Sequence, residues 1–144
     1  MPCINIQIDA VGPVLDIGIA PPASLRIPGT AALRPITWFK ALVDTGCSHT
    51  SIHSSVAANC GLVVMGKSGV TTSAGNVAAN IYHGDLFFRS LMSWMTPFDW
   101  SFTDRGLCEM VHKNPAFDIL LGMDILNLGT FVVNGGLRQA TFCW

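Results

Sequence analysis

Ala41-Leu42-Val43-Asp44-Thr45-Gly46-Cys47-Ser48 is the stretch that decides how this chain is read. Trp38 to Val43 form an apolar run of strand character, and it ends abruptly on an acid, a hydroxyl residue and a glycine. Taken alone, Asp-Thr-Gly is an ordinary turn, with the aspartate bonding its own backbone and the glycine taking a positive φ. Its surroundings say more. A small residue and a hydroxyl residue follow, and a second segment of related character lies some 75 residues on: Ile119-Leu120-Leu121-Gly122-Met123-Asp124-Ile125-Leu126. There, too, an apolar strand enters a glycine, with room for a turn or two of helix before Gly129.

Outward from these two segments, strand signals dominate. Ile4, Ile6 and Ile8 alternate with Asn5, Gln7 and Asp9, and Val14 to Ile19 form a second short apolar strand. Ala20 to Pro35 hold four prolines, so this part is a surface loop rather than a helix or central strand. Ser54 to Cys60 suit a short helix stopped by Gly61. Val63 to Thr72 and Val77 to Phe88 read as the arms of a hairpin around Ser73-Ala74-Gly75-Asn76. Leu91 to Pro115 show no clean period and read as an irregular strand or two with loops. Phe117 to Leu121, Phe131 to Val133 and Ala140 to Trp144 complete the strands, the last two around Asn134-Gly135-Gly136. The class is mainly β with two short helices, in one domain spanning residues 1–144.

Composition narrows the function. The chain has 144 residues, half of them hydrophobic and 12% charged, with a formal net charge of −1. Eight scattered basic residues cannot release counterions from a polyanion, so nucleic acid is not expected as a partner. No continuous apolar 20-mer marks a membrane span, and the amino terminus lacks the basic and apolar regions of a signal peptide. Five irregularly spaced cysteines suggest reduced thiols and a cytoplasmic setting. Cys3 and Cys143, near opposite chain ends, leave redox control of assembly open.

The paired segments resemble the retropepsin-like aspartic peptidases, the retroviral-type relatives of pepsin. The match in order and spacing runs over roughly Trp38 to Val133. The resemblance implies an acid-protease barrel with a flap hairpin, its tip near Val70 to Asn76. It also implies peptide-bond hydrolysis by two carboxyl groups that share one proton and hold a water between them. One carboxylate takes a proton from the water and the other protonates the developing oxyanion, with no cofactor and no metal. The chain has a single Asp-Thr-Gly, since Asp16-Ile17-Gly18 and Asp104-Arg105-Gly106 lack the hydroxyl residue. The second carboxyl must then come from a second copy, as an isologous homodimer.

By that resemblance Asp44, Thr45 and Gly46 are the catalytic residues, with the Thr45 hydroxyl bonding across the two-fold axis. Gly46, Ser48, Thr72, Ser73, Ala74 and Gly75 meet a polypeptide substrate. Cys47 stands where alanine or serine is common, and a thiol supports an ionised carboxylate less well than a hydroxyl does. Asp124 is expected to cap its helix and support the catalytic loop without performing chemistry. The terminal strands, Ile4 to Ile8 and Ala140 to Trp144, are expected to build the dimer interface.

Other readings compete. Cys47, His49, His53 and Cys60 are all residue types that bind zinc, and His49 and His53 would share a face if their segment were helical. Ser48, Ser51 or Cys47 beside those histidines admits a hydrolase with a serine or cysteine nucleophile, although no nucleophile-elbow pattern surrounds them. The strongest rival is the same fold without catalysis, serving as a peptide-binding or dimerisation module.

Overall fold

Side chains of Ile4 and Ile6 enter the core from strand β1 (Cys3–Ile8), while Cys3, Asn5 and Gln7 between them face outward. That is the period-two pattern of a strand with one buried face. The next strand, β2 (Pro13–Ala20), starts in the same way, but from Ile17 to Ala20 every residue is buried. Two neighbours explain the change, because β2 is flanked by β3 (Thr37–Val43) and by the far end of β6 (Gly75–Phe88).

This computed structural model describes residues 2–25, 35–72, 75–89 and 100–144, without the side chains of residues 100 and 101. Its other elements are a 3-10 turn (Ala23–Leu25), β4 (Ser51–Ile52), helix α1 (Ser54–Cys60), β5 (Val63–Thr72), β7 (Trp100–Glu109), β8 (Ile119–Leu121), helix α2 (Met123–Leu126), β9 (Thr130–Asn134) and β10 (Gln139–Cys143). The strands join in the order β5-β6-β7-β4-β8-β3-β2-β1-β10-β9, and a further β6–β2 pairing bends the middle of the sheet into a closed ring. Six strands, β2, β3, β8, β4, β7 and β6, form the resulting barrel. No described helix is long and apolar enough to cross a membrane.

The barrel is filled by Ile17, Ile19, Ile52, Leu86, Leu107, Ile119 and Leu121. At one end Phe88 packs edge-on to Phe102 at 5.5 Å between ring centroids and lies 5.1 Å from Trp144, which stacks on Phe142. Truncating a ring as buried as Phe88 to alanine costs about 3–5 kcal/mol in such a core. A register break between Gly84 and Leu86 turns Asp85 fully inward. Its carboxylate is satisfied there by the N–H groups of Asp104 and Ala23, at 2.8 and 3.2 Å.

Several sequence expectations are met and several are corrected. The hairpin forms as expected, but Thr72 pairs directly with Gly75, so the turn is tighter than a four-residue one. Gly75 sits at φ +115°, which glycine alone adopts without strain. Ser73 and Ala74, two of the expected substrate contacts, lie outside the described residues, as does the stretch from Leu91 to residue 99. Residues 100–109, within the stretch read as an irregular strand or two with loops, make one strand whose pairing with β6 shifts register. Helix α1 stops at Gly61 in the left-handed region, as expected, but its N-cap is His53, whose Nδ1 accepts the Ser55 N–H at 3.2 Å.

The chain ends depart furthest from expectation. β1 and β10 pair with each other from Cys3↔Cys143 to Gln7↔Gln139, and each has another strand of the same chain on its other side. β9 flanks β10 along its whole length, whereas β2 flanks β1 only at Gln7 and Ile8. Cys3 and Cys143 are joined in a disulfide, which corrects the reading of five reduced thiols. Cys47, Cys60 and Cys108 remain free. The thiol-based argument for the cytoplasm falls with that correction.

Candidate active site

Asp44 follows the last residue of β3, where the parallel β3–β8 ladder ends at Val43↔Leu121. Its N–H donates to the Leu121 carbonyl at 3.0 Å, which carries the ladder one residue further and fixes where the loop begins. The loop then closes on itself. Asp44 Oδ1 accepts the Gly46 N–H at 2.8 Å, and the Asp44 carbonyl accepts the Cys47 N–H at 3.1 Å. Gly46 does not have the positive φ that a simple turn would give it. Its role is space, since a Cβ there would stand 3.1 Å from Asp44 Oδ1.

The second apolar segment is packed directly beneath this loop. The Met123 N–H donates to the Cys47 carbonyl at 2.8 Å and the Asp124 N–H to the Ser48 carbonyl at 3.2 Å. The loop's carbonyls thereby satisfy N–H groups that open α2 and have no partner within the helix. The Asp124 carboxylate does not cap the helix, whose N-cap is Gly122 with no side-chain bond. Asp124 Oδ1 instead accepts both the N–H and the hydroxyl of Thr50, each at 2.8 Å. Thr50 Oγ1 in turn accepts the Gly122 N–H at 3.1 Å, and Thr50 is wholly buried. Gly122 is obligatory, because a Cβ would lie 2.6 Å from the His49 carbonyl carbon and 2.8 Å from Thr50 N.

Thr50 is the residue that sequence reasoning missed. The available signal was a hydroxyl residue between the two histidines, just after the loop and ahead of an apolar run. Nothing local distinguishes it from Ser48 or Ser51, because its partners are more than 70 residues away.

The remaining side chains are arranged around an opening. Thr45, Gly46, Ser48 and His49 are exposed and Asp44 is partly so. Ser48 Oγ and His49 Nδ1 lie 2.9 Å apart. The Cys47 thiol donates to the His49 carbonyl at 2.9 Å and stands 4.0 Å from Ser51 Oγ, so it supports the loop backbone. A hollow of about 510 Å³ runs between Gly46 to His49 on one side and Ser68 to Thr71 of β5 on the other, with Ile81 and Cys108 on its walls. A second hollow of about 330 Å³ shares the Cys47, Ser51, Val70 and Thr71 walls and reaches Thr72, Phe117 and Leu120. Asp44, Thr45 and Gly75 line neither.

Burial raises the pKa of the Cys60 thiol above its ordinary 9.0, against a lowering hydrogen bond from Thr37. Burial is also the main reason the Cys108 pKa is raised, with Cys47 and Glu109 adding unfavourable charge. The cysteines and histidines considered as zinc ligands do not converge. His53 caps α1 and the Cys60 thiol points to the Ile19 carbonyl at 3.8 Å. Among the described residues no three of His, Cys, Asp and Glu are grouped to hold a metal ion.

A family model described as aspartyl protease matches residues 34–125. Among solved structures, the crystal structure of a retropepsin-like aspartic protease from Rickettsia conorii is similar, with a TM-score of 0.63 at 14% identity. The match covers 97% of this chain and 89% of that one. Among curated protein sequences nothing matches.

Proposed function

The chain belongs to the aspartyl protease family, and from that premise we propose that it is an endopeptidase whose catalytic pair is two copies of Asp44 in a homodimer. Its barrel is retropepsin-like in fold. The observation that carries the proposal is the setting of Asp44: a carboxylate with one oxygen held by the Gly46 N–H, on a loop anchored to a buried polar network and open to solvent at Thr45 and Gly46. That is a rigid mount for one carboxyl group on a face that a second molecule can reach. A single Asp-Thr-Gly in the sequence leaves the second carboxyl to that molecule.

In the paired state the two carboxyls cannot both ionise at a separation of about 3 Å, so they share a proton. The ionised member deprotonates a water held between them as it attacks the scissile carbonyl carbon, and the protonated member gives its proton to the carbonyl oxygen. The resulting gem-diol collapses with proton transfer to the amide nitrogen, which releases the two peptide products. In that dimer the Thr45 hydroxyl bonds across the axis, and the hollows beside Gly46 and Ser48 take substrate side chains. The β5–β6 hairpin acts as the flap, with Thr72 and Gly75 at its described end. Closure excludes water and holds the peptide against the dyad.

Hydrolysis of an unfolded protein at mildly acidic pH, wild type against Asp44→Asn, tests the proposal. Cleavage by the wild type alone supports it. Equal cleavage by both removes Asp44 as the catalyst, and no cleavage by either favours a binding module.

A further inference from the structure

We propose that the Ser48–His49 pair makes the hollow beside the Asp44 loop a subsite for an acidic side chain, so that the peptides cut carry glutamate or aspartate near the scissile bond. The inference rests on the proposed function and deepens it, because hydrolysis by an Asp44 dyad does not say which side chains the substrate carries.

The hollow of about 510 Å³ has no aspartate, glutamate, lysine or arginine among the described residues of its walls. Its ionisable side chains are His49 and the thiols of Cys47 and Cys108. Its hydroxyls are mostly committed elsewhere, since each has one proton to give. Ser51 gives its proton to the His49 carbonyl at 3.2 Å, Ser68 to the Gly69 carbonyl at 3.5 Å and Thr71 to Asn76 Oδ1 at 2.8 Å. The Cys47 thiol is likewise directed to the His49 carbonyl. Ser48 and His49 remain, both exposed, with Ser48 Oγ 2.9 Å from His49 Nδ1.

That contact decides what the pair offers a ligand. If Ser48 gives its proton to Nδ1, then Nε2 carries the ring hydrogen. If Nδ1 gives its hydrogen to Ser48, the hydroxyl proton turns away from the ring. Either tautomer leaves one donor over, and no group among the described residues takes it. An imidazolium leaves two, beside a positive charge, and histidine is the side chain that gains charge on mild acidification. A carboxylate accepts on both oxygens, and charge-assisted bonds are the stronger ones. The surrounding charges favour an anion as well. Asp44 shares the loop but lines neither hollow, and Lys67 precedes Ser68 on the facing strand β5. The adjoining hollow sets His112 and Lys113 against Glu109, whose Oε2 accepts from Asn80 Nδ2 at 2.6 Å.

A peptide library in which each position is in turn Glu, Gln or Lys provides the test, with the wild type, His49→Leu and His49→Arg at mildly acidic pH. At one position near the cut, the wild type should cleave Glu peptides about fivefold faster than Gln peptides, the effect of an ion pair open to water. Lys peptides should be cut slowest. His49→Leu should erase the preference for Glu, and His49→Arg, which keeps a cation, should retain it. Asp44-dependent cleavage with Glu and Gln treated alike overturns the subsite and leaves the peptidase reading standing. So does a preference that survives His49→Leu, or one lost equally in both variants. If nothing is cut, retention of the same peptides on immobilised protein reads the subsite directly. Glu peptides held over Lys peptides by the wild type, and not by His49→Leu, would then overturn the peptidase reading alone. Equal retention would overturn both.

Discussion

Asp124 Oδ1 accepts two hydrogen bonds from Thr50, one from the backbone N–H and one from the hydroxyl, both at 2.8 Å. Through this contact the end of the barrel's second apolar segment grips the loop that begins at Asp44, 80 positions earlier in the sequence. Replacing Asp124 with alanine leaves the Thr50 N–H without its acceptor in a buried place. The loss should be about 2–3 kcal/mol of stability, measured by urea denaturation. Asp124→Asn keeps a neutral acceptor and should cost less. Thr50→Val and Asp124→Ala together should cost less than the sum of the two, because they remove the same bonds. An Asp124→Ala protein with unaltered stability would contradict the contact.

Gly122→Ala places a methyl group inside the His49–Thr50 peptide unit. The neighbour is backbone and cannot swing aside. The substitution should destabilise the fold by about 3 kcal/mol, more than most exposed glycine replacements. Gly69→Ala, with open space around the added carbon, is the matched control for thermal melting.

The Cys3–Cys143 bond ties together residues 140 positions apart and so restricts almost the whole unfolded chain. Cys3→Ser should lower stability by about 2–5 kcal/mol under oxidising conditions. Adding a thiol reductant should bring the wild type down to the level of the variant and leave the variant where it is. A reductant-insensitive wild type would show that the bond contributes nothing.

Cys60 and Cys108 both have pKa values raised above 9.0 by burial. The unfolded chain releases these protons at lower pH than the folded one, so the unfolded state binds fewer protons above pH 9.0 and stability falls as pH rises. Below that value the protonated thiols are retained in both states and the effect vanishes. Cys60→Ala should flatten the alkaline loss when unfolding free energy is followed against pH. An unchanged slope would place the effect elsewhere.

Much of this architecture was legible in the sequence because its determinants are local. The alternation of Ile4 and Ile6, the apolar run into Asp44, the Gly61 stop and the two arms of the hairpin each depend on neighbours a few residues away. What was not legible depends on distant partners. Nothing near Cys3 indicates that Cys143 stands across from it in a β ladder. Nothing near Thr50 indicates that Asp124 and Gly122 bond to it. β4 has only two residues, Ser51 and Ile52, and exists because β7 and β8 lie on either side. The Trp100–Glu109 strand lacks a clean period because its partner β6 shifts register between Gly84 and Leu86, which breaks the alternation.

Cys47 differs from the other free thiols in lying on the walls of both hollows, partly exposed. An alkylating reagent applied to the folded protein should modify it before Cys60 or Cys108, as peptide mapping would reveal. A bulky adduct there fills the space beside Gly46 and should abolish hydrolysis, while Cys47→Ser should be resistant. Full activity after complete labelling of Cys47 would show that the substrate does not occupy those hollows.

The central claim is that one Asp44 works only against another. Mixing wild type with rising proportions of Asp44→Asn at fixed total concentration, after dissociation and reassembly, tests it most directly. If the two chains share a single dyad, peptidase activity should fall with the square of the wild-type fraction, because only wild-type pairs carry two aspartates. Activity falling in simple proportion to the wild-type fraction would mean that each chain cuts by itself, and would contradict the account.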